Sequence, residues 1–398
     1  LYKPETIFKK MVIVKSISAK SISDSRDEKT ISVLVHTNVG GFSASAPNGK
    51  STGKHEAKPY KKNLEGDIST INKFSDYFSK ENIDSFEDLR RVEDIVDRHI
   101  GANSLFALES AILKAVAKEK KKEIWQIINA NAKNFPRLVG NCIGGGKHSE
   151  KNQEKKPDFQ EFLIIPNKNS TKESFELMKK IKKEAEISLR KKDDKFKGKK
   201  NDEDAWETSL NEKQVLEILK DFGVPLGIDA ASSEFYKRKK YHYQNPVLQR
   251  DDEEQFSYIS NLIKNFNLFY VEDPFNEEDF ESHSKLLKKF PETLIVGDDL
   301  ITTNYKRMEK AIKNKSINAV IIKPNQNGSL LEVSKVCELA KKNKIKIVFS
   351  HRSGETEEDI LADLAFGFQA DFLKCGITGK EREVKIKRLI EIENNFRV

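Results

Sequence analysis

The 398-residue chain has only three cysteines, Cys142, Cys337 and Cys375, and no two of them stand in a CxxC or other thiolate-metal spacing. That scarcity excludes a disulfide framework and a cysteine-built metal centre, and it suits a reducing compartment. No apolar run approaches the ~18–20 residues of a membrane span, and the opening "LYKPETIFKKMV" lacks the continuous apolar stretch of a signal peptide. The expectation is a cytoplasmic protein without a membrane partner. A strong charge of one sign is also missing: Lys+Arg 71 against Asp+Glu 63 leaves +8 on a densely charged chain. This describes a solvated surface and predicts no specific nucleic-acid partner. The basic excess is local, in "KKIKKEAEISLRKKDDKFKGKK" (179–200), which reads as an exposed helix face running into a loop.

A phosphate-binding P-loop is absent too, although "APNGKSTGKHEA" (46–57) ends like one. The glycine required five residues before Gly49-Lys50 is Ala44, and Gly53 weakens any helix starting at Ser51. Ser51 therefore needs another role.

The sequence does carry two successive kinds of patterning. Residues 12–47 read as three β segments, "VIVKSISAKSI", "TISVLVHTN" and "GFSASAP", and from about 66 to 132 apolar residues recur at helical spacing, as in Leu105, Leu108, Ile112 and Val116. A small α+β domain over 1–135 follows from this. Beyond it, eight short apolar runs alternate with helical stretches: "LVGNCI", "FLIIP", "PLGIDAA", "LFYVEDP", "LIVGDD", "AVIIKP", "IKIVFSH" and "DFLKCG". Eight such units predict a parallel β/α barrel over 136–398, of the TIM type. It should be irregular, because a polar insert rather than a helix joins the first two runs.

Six of these runs end on ionisable residues, Asp229, Glu272, Asp298, Lys323, His351 and Lys374. In a β/α barrel the C-terminal strand ends share one mouth, where the chemistry of such folds lies. Three converging carboxylates, Asp229, Glu272 and Asp298, form a hard oxygen site that favours magnesium or manganese over zinc. Lys323 and Lys374 would stand near that ion, and a lysine beside other cations has a lowered pKa and serves as a base. Arg352 and Ser353 in "SHRSGET" suit a phosphate or carboxylate. The substrate expected is an anion with an acidic carbon–hydrogen bond.

The stretches "GIDAASSEFY", "YVEDPFNEEDF", "IVGDDLITTN", "IKPNQNGSLLEV" and "SHRSGETEEDILADLAFG" resemble, in order, motifs of the enolase family, and the resemblance runs from about residue 12 to the end. "PNGKSTGKHEA" resembles that family's mobile catalytic loop, which implies that Ser51 closes over a second magnesium. "GGGKHSE" gives His148 as a substrate contact, "FQEFLIIP" gives Glu161 near the leaving hydroxyl, and "NDEDAWETS" gives Glu203 as general acid. By the same resemblance Lys323 is the base, His351, Arg352, Ser353 and Lys374 bind substrate, and two magnesium ions are the cofactors. The implied reaction is the reversible dehydration of 2-phosphoglycerate by a homodimer, the N-terminal domain capping the barrel. Departures from the motifs are Lys50 in place of alanine, Asp204-Ala205 in place of two glycines, and a longer connection after His148. Two other readings stay open: a dehydratase of a related acid, and a weakly active paralogue serving as a binding or scaffold protein.

Overall fold

The computed structural model describes residues 11–50, 52–79, 81–149 and 155–397. Ser51, assigned above to a second metal, lies outside the described residues. The chain opens with an antiparallel meander, β1 (Val12–Ser23), β2 (Lys29–Thr37) and β3 (Gly40–Ser45), to which β4 (Asn82–Ile83) adds beside β1. Ile31, Val33 and Val35 of β2 are buried at the two-residue period of a strand. Four helices follow: α1 (Leu64–Phe78), α2 (Leu89–Val96), α3 (Ala102–Lys120) and α4 (Ile124–Ile128). α1 starts where Asn63 accepts a hydrogen bond from the Gly66 amide. α3 buries Phe106, Leu108, Ile112, Leu113 and Val116 and packs against β2 and β3.

The second unit begins with β5 (Arg137–Gly144) and β6 (Glu161–Ile164), then α5 (Thr171–Lys192), the short β7 (Trp206–Glu207) and α6 (Glu212–Leu219). β8 (Leu226–Asp229) precedes a small antiparallel sheet of β9 (Tyr236–Lys237), β10 (Lys240–Gln244) and β11 (Val247–Arg250). The remainder alternates as α7 (Asp252–Phe266), β12 (Tyr270–Glu272), α8 (Phe280–Lys289), β13 (Leu294–Gly297), α9 (Tyr305–Asn314) and β14 (Ala319–Ile322). It continues with α10 (Pro324–Asn327), α11 (Leu330–Lys342), β15 (Lys346–Ser350), α12 (Ile360–Gly367), β16 (Phe372–Gly376) and α13 (Lys380–Arg397). β16 pairs with both β15 and β5, which closes an eight-stranded barrel. Its interior is filled by Val139, Leu163, Tyr270, Val296, Ile321 and Val348, among others.

All eight apolar runs form the barrel strands, but the sheet is not parallel throughout. β6 runs antiparallel to both β5 and β8. The connection from β5 to β6 carries no helix among its described residues, and a crossover helix is what a parallel neighbour would need. The reversal has a consequence for chemistry. Glu161 is the first residue of β6, and it pairs in register with Asp229, the last residue of β8. A strand running the usual way would have carried its first residue to the opposite end of the barrel.

Candidate functional site

Register brings the predicted strand ends together. Glu272 pairs with Asp229 across β12 and β8, and Lys374 pairs with Ser350 across β16 and β15, while Asp298, Lys323 and His351 directly follow β13, β14 and β15. Asp229, Asp298, Lys323, His351 and Lys374 line one cavity, together with His148, Glu161, Glu203, Arg352 and Ser353. Glu272 adjoins it through Lys374 and is fully buried.

Lys374 is the electrostatic centre. Its Nζ lies 2.8 Å from Glu272 Oε2, 2.9 Å from Asp229 Oδ2 and 3.0 Å from Glu161 Oε2. Burial alone would lower its pKa, but these three carboxylates drive it well above the usual lysine value. Tyr270 also donates to Glu272 Oε2, at 2.6 Å. Burial, with the charge of Asp229, pushes the Glu272 carboxyl up to about 8.

Lys323 forms an ion pair with Asp298 Oδ2. The expectation that neighbouring cations lower the pKa of this lysine is not met. Burial, Arg352 and Lys374 do act in that direction, yet the Asp298 carboxylate outweighs them and Lys323 is held above the usual value. A carboxylate in contact with an ammonium outweighs cations farther away.

Glu203 sits at the other side of the chemistry. Its Oε1 lies 3.0 Å from His148 Nδ1 and 3.7 Å from His351 Nε2, and its Oε2 accepts from Asn141 at 2.9 Å. Burial would raise its pKa, but His148, His351 and Arg382 pull it well below the carboxylate range. Glu161 goes the other way, raised by burial and by the Glu203 charge. The two neighbouring carboxyls are thus shifted in opposite directions, Glu161 up and Glu203 down.

Two residues expected to meet substrate are engaged by the N-terminal unit. Arg352 Nη2 reaches both oxygens of Glu56 at 3.0 and 3.1 Å, and its Nη1 donates to Asn325 at 3.2 Å. Ser353 Oγ accepts from the Lys50 amide at 2.9 Å and from Arg26 Nη1 at 3.0 Å, which leaves its own proton as the group to offer an anion. The side chain of Lys50 pairs with Asp202 at 2.7 Å, and Asp202 in turn lies 3.3 Å from His148.

Sequence reasoning passed over Asp273, Asp299, Asn141 and Gln326. Asp273 accepts from the amides of Asp298 at 3.0 Å and Asp299 at 2.6 Å, and carboxylate oxygens of Asp273, Asp298 and Asp299 all lie within 4.8 Å of one another. Burial and mutual repulsion raise Asp273 and Asp299 well above the carboxylate range. The doubled acids of "VEDP" and "GDDL", and an asparagine inside the apolar run "LVGNCI", were the available signals. Gln326 donates to Asp298 at 3.2 Å, and nothing in its polar surroundings marked it.

The residues fit a hard divalent cation. Buried carboxylates outnumber the buried ammonium groups that face them, and Glu272 Oε1 is buried without a hydrogen-bond partner among the described residues. The donors are oxygens, as magnesium, calcium or manganese require.

Comparison with known proteins agrees with this chemistry. Residues 14–128 match the model described as the enolase N-terminal domain, and residues 132–397 match the enolase C-terminal TIM barrel domain. The chain belongs to the enolase family. It is 35% identical over 408 residues to the enolase of Methanosphaera stadtmanae, covering 96% of this chain and 97% of that protein. Identity is also 35% over 409 residues with the enolase of Methanocorpusculum labreanum, covering 97% and 100% of the two chains, and 35% over 377 residues with that of Pyrobaculum aerophilum, covering 88% and 87%. As a member of the enolase family, the chain is a hydro-lyase that interconverts 2-phosphoglycerate and phosphoenolpyruvate. Enolase membership implies a divalent metal and a phosphorylated small-molecule substrate, and it disfavours the scaffold and other-acid readings. No helix among the described residues is long and apolar enough to cross a membrane.

Proposed function

We propose that Lys323 is the base that takes the carbon-bound proton of 2-phosphoglycerate and that Glu203 is the acid–base group at the departing hydroxyl. The observation that carries this reading is that both side chains line the same cavity, each with a partner that fixes its protonation: Asp298 on Lys323, and His148 on Glu203. As the site stands Lys323 is an ammonium, so the hold of Asp298 has to loosen before its Nζ accepts a proton. Glu203 is ionised, ready to take a proton from water in the hydration direction. For dehydration Glu203 has to carry a proton when it meets the departing hydroxyl, and His148 and Glu161 are the groups that lie beside it.

In the same proposal Asp229, Glu272 and Asp298 hold one magnesium ion, with Asp273 and Asp299 behind Asp298, and Ser51 belongs to a second. Bound there, magnesium supplies positive charge that stabilises the dianionic form of the substrate carboxylate. Lys374 adds a fixed ammonium on the same side. Arg352 and Ser353 take the phosphate, and His148, His351 and Glu161 contact the rest of the substrate. The reading further includes a cytoplasmic homodimer and a division of the chain after residue 135.

Formation of phosphoenolpyruvate from 2-phosphoglycerate in magnesium buffer tests the assignment. Wild type should turn over, and Lys323→Ala should lose about three orders of magnitude or more, within the usual span for a positioned proton-transfer group and its ion pair. Turnover by Lys323→Ala within tenfold of wild type would remove Lys323 from this role.

A further inference from the structure

The residue after Glu203 has a backbone that side chains seldom adopt. Asp204 has a φ of 63°, in the left-handed region where a Cβ meets the following carbonyl and glycine does not. The enolase motif resembled here has glycine at this position, so the aspartate needs a compensating reason. Its side chain supplies one. Asp204 Oδ2 lies 2.9 Å from Lys182 Nζ of α5, and Oδ1 lies 3.0 Å from Lys200 Nζ. The Thr378 hydroxyl, in the turn between β16 and α13, donates to Oδ2. Lys182 Nζ also contacts the Asp204 carbonyl and the Thr378 hydroxyl, and only 3% of Lys182 is exposed.

The same short loop is fastened on its inner side. Asn201 Oδ1 accepts from the Glu203 amide at 3.0 Å and from the Ala205 amide at 2.9 Å. A Cβ on Gly376 would come within 2.7 Å of the Glu203 carbonyl, so the loop lies directly on β16. Asp204 does not line the cavity. It joins the loop to two other elements of the barrel from outside.

We propose that Asp204 is a positioning residue for Glu203. Its bonds to Lys182, Lys200 and Thr378 fix the 201–205 loop so that the Glu203 carboxyl stays between His148 and Asn141. The proposal rests on the reading of Glu203 as the acid–base group.

The test compares full-length wild type with Asp204→Gly, which relieves the backbone and removes the latch, and Asp204→Asn, which keeps the side-chain size. Lys182→Met breaks the latch from its other end. Three quantities are read for each: phosphoenolpyruvate formation, exchange of the C2 proton of 2-phosphoglycerate with heavy water, and amide hydrogen exchange over residues 201–207 in the protein alone. Dehydration should fall by about ten- to a hundredfold, the scale of a displaced catalytic group. C2 exchange should stay within twofold of wild type, and amide exchange over 201–207 should quicken. Glu203→Gln, run alongside, should show the same split more strongly.

Dehydration within twofold of wild type in both Asp204 variants would overturn the proposal, whatever the amide exchange shows. Parallel loss of C2 exchange and dehydration would overturn it as well, because a merely structural role moves both. Full dehydration by Glu203→Gln would remove the underlying reading, a result distinct from any obtained with Asp204.

Discussion

Lys374 holds Glu272 at 2.8 Å in a place where both are almost wholly buried. The ammonium keeps three carboxylates from facing one another without compensation, and removing one partner of such a buried group leaves unpaired charge. Lys374→Met should therefore lower the melting temperature in chelator, by an amount corresponding to about 3–5 kcal/mol. It should also enlarge the shift that added magnesium produces, since the freed carboxylates gain a ligand. Thermal melts with and without magnesium check this. An unchanged magnesium shift would place the metal elsewhere.

Asp298 has two tasks in this account, holding metal and holding the proton on Lys323. Asp298→Asn should lose at least about tenfold in magnesium affinity by calorimetry while the fold persists, because strand-end carboxylates lie outside the barrel core. The sign for Lys323 is also defined. Without the carboxylate that raises it, its pKa should fall.

Lys50 pairs with Asp202, which neighbours His148. Lys50→Ala leaves the Asp202 charge unbalanced beside an anionic substrate, so the KM for 2-phosphoglycerate should rise, by about two- to fivefold and most at low salt. The double variant Lys50→Ala with Asp202→Asn should recover most of the loss. A KM indifferent to salt and to the second substitution would mean that this ion pair does not act on the substrate.

How much of this was legible in the sequence depends on what each feature depends on. The eight barrel strands were readable because strands buried on both faces appear as continuous apolar runs. The direction of β6 was not, since it is set by the connection before it and not by the residues of "FLIIP". The strand-end residues Asp229, Glu272, Asp298, Lys323, His351 and Lys374 do meet at one mouth, as their positions after apolar runs required. Glu161 and Glu203 were reachable only through resemblance, because one begins a strand and the other lies in a charged loop. The pKa of Lys323 was misjudged for want of a distance. Sequence shows that cations and carboxylates share the mouth, but contact between Lys323 and Asp298 decides which of them wins.

Away from the mouth, His283 carries a pH dependence. It is fully buried on α8, its Nδ1 donates to the Asp279 carbonyl at 2.7 Å, and burial lowers its pKa from 6.5 to about 4. The folded value lies below the unfolded one, so its contribution is complete above about pH 6.5 and declines as pH falls through 4, by about 3 kcal/mol in total. His283→Gln should flatten the melting temperature between pH 6.5 and 4 relative to wild type. Parallel profiles for the two proteins would show that His283 does not contribute.

The assignment of the two proton-transfer groups is tested most directly by proton NMR of 2-phosphoglycerate in heavy water containing magnesium. If Lys323 takes the carbon-bound proton and Glu203 serves the hydroxyl, the two variants fail at different steps. Lys323→Ala should abolish both C2 exchange and dehydration, whereas Glu203→Gln should keep C2 exchange and lose dehydration by about two orders of magnitude. Exchange that survives in Lys323→Ala, or disappears in Glu203→Gln, would contradict the account.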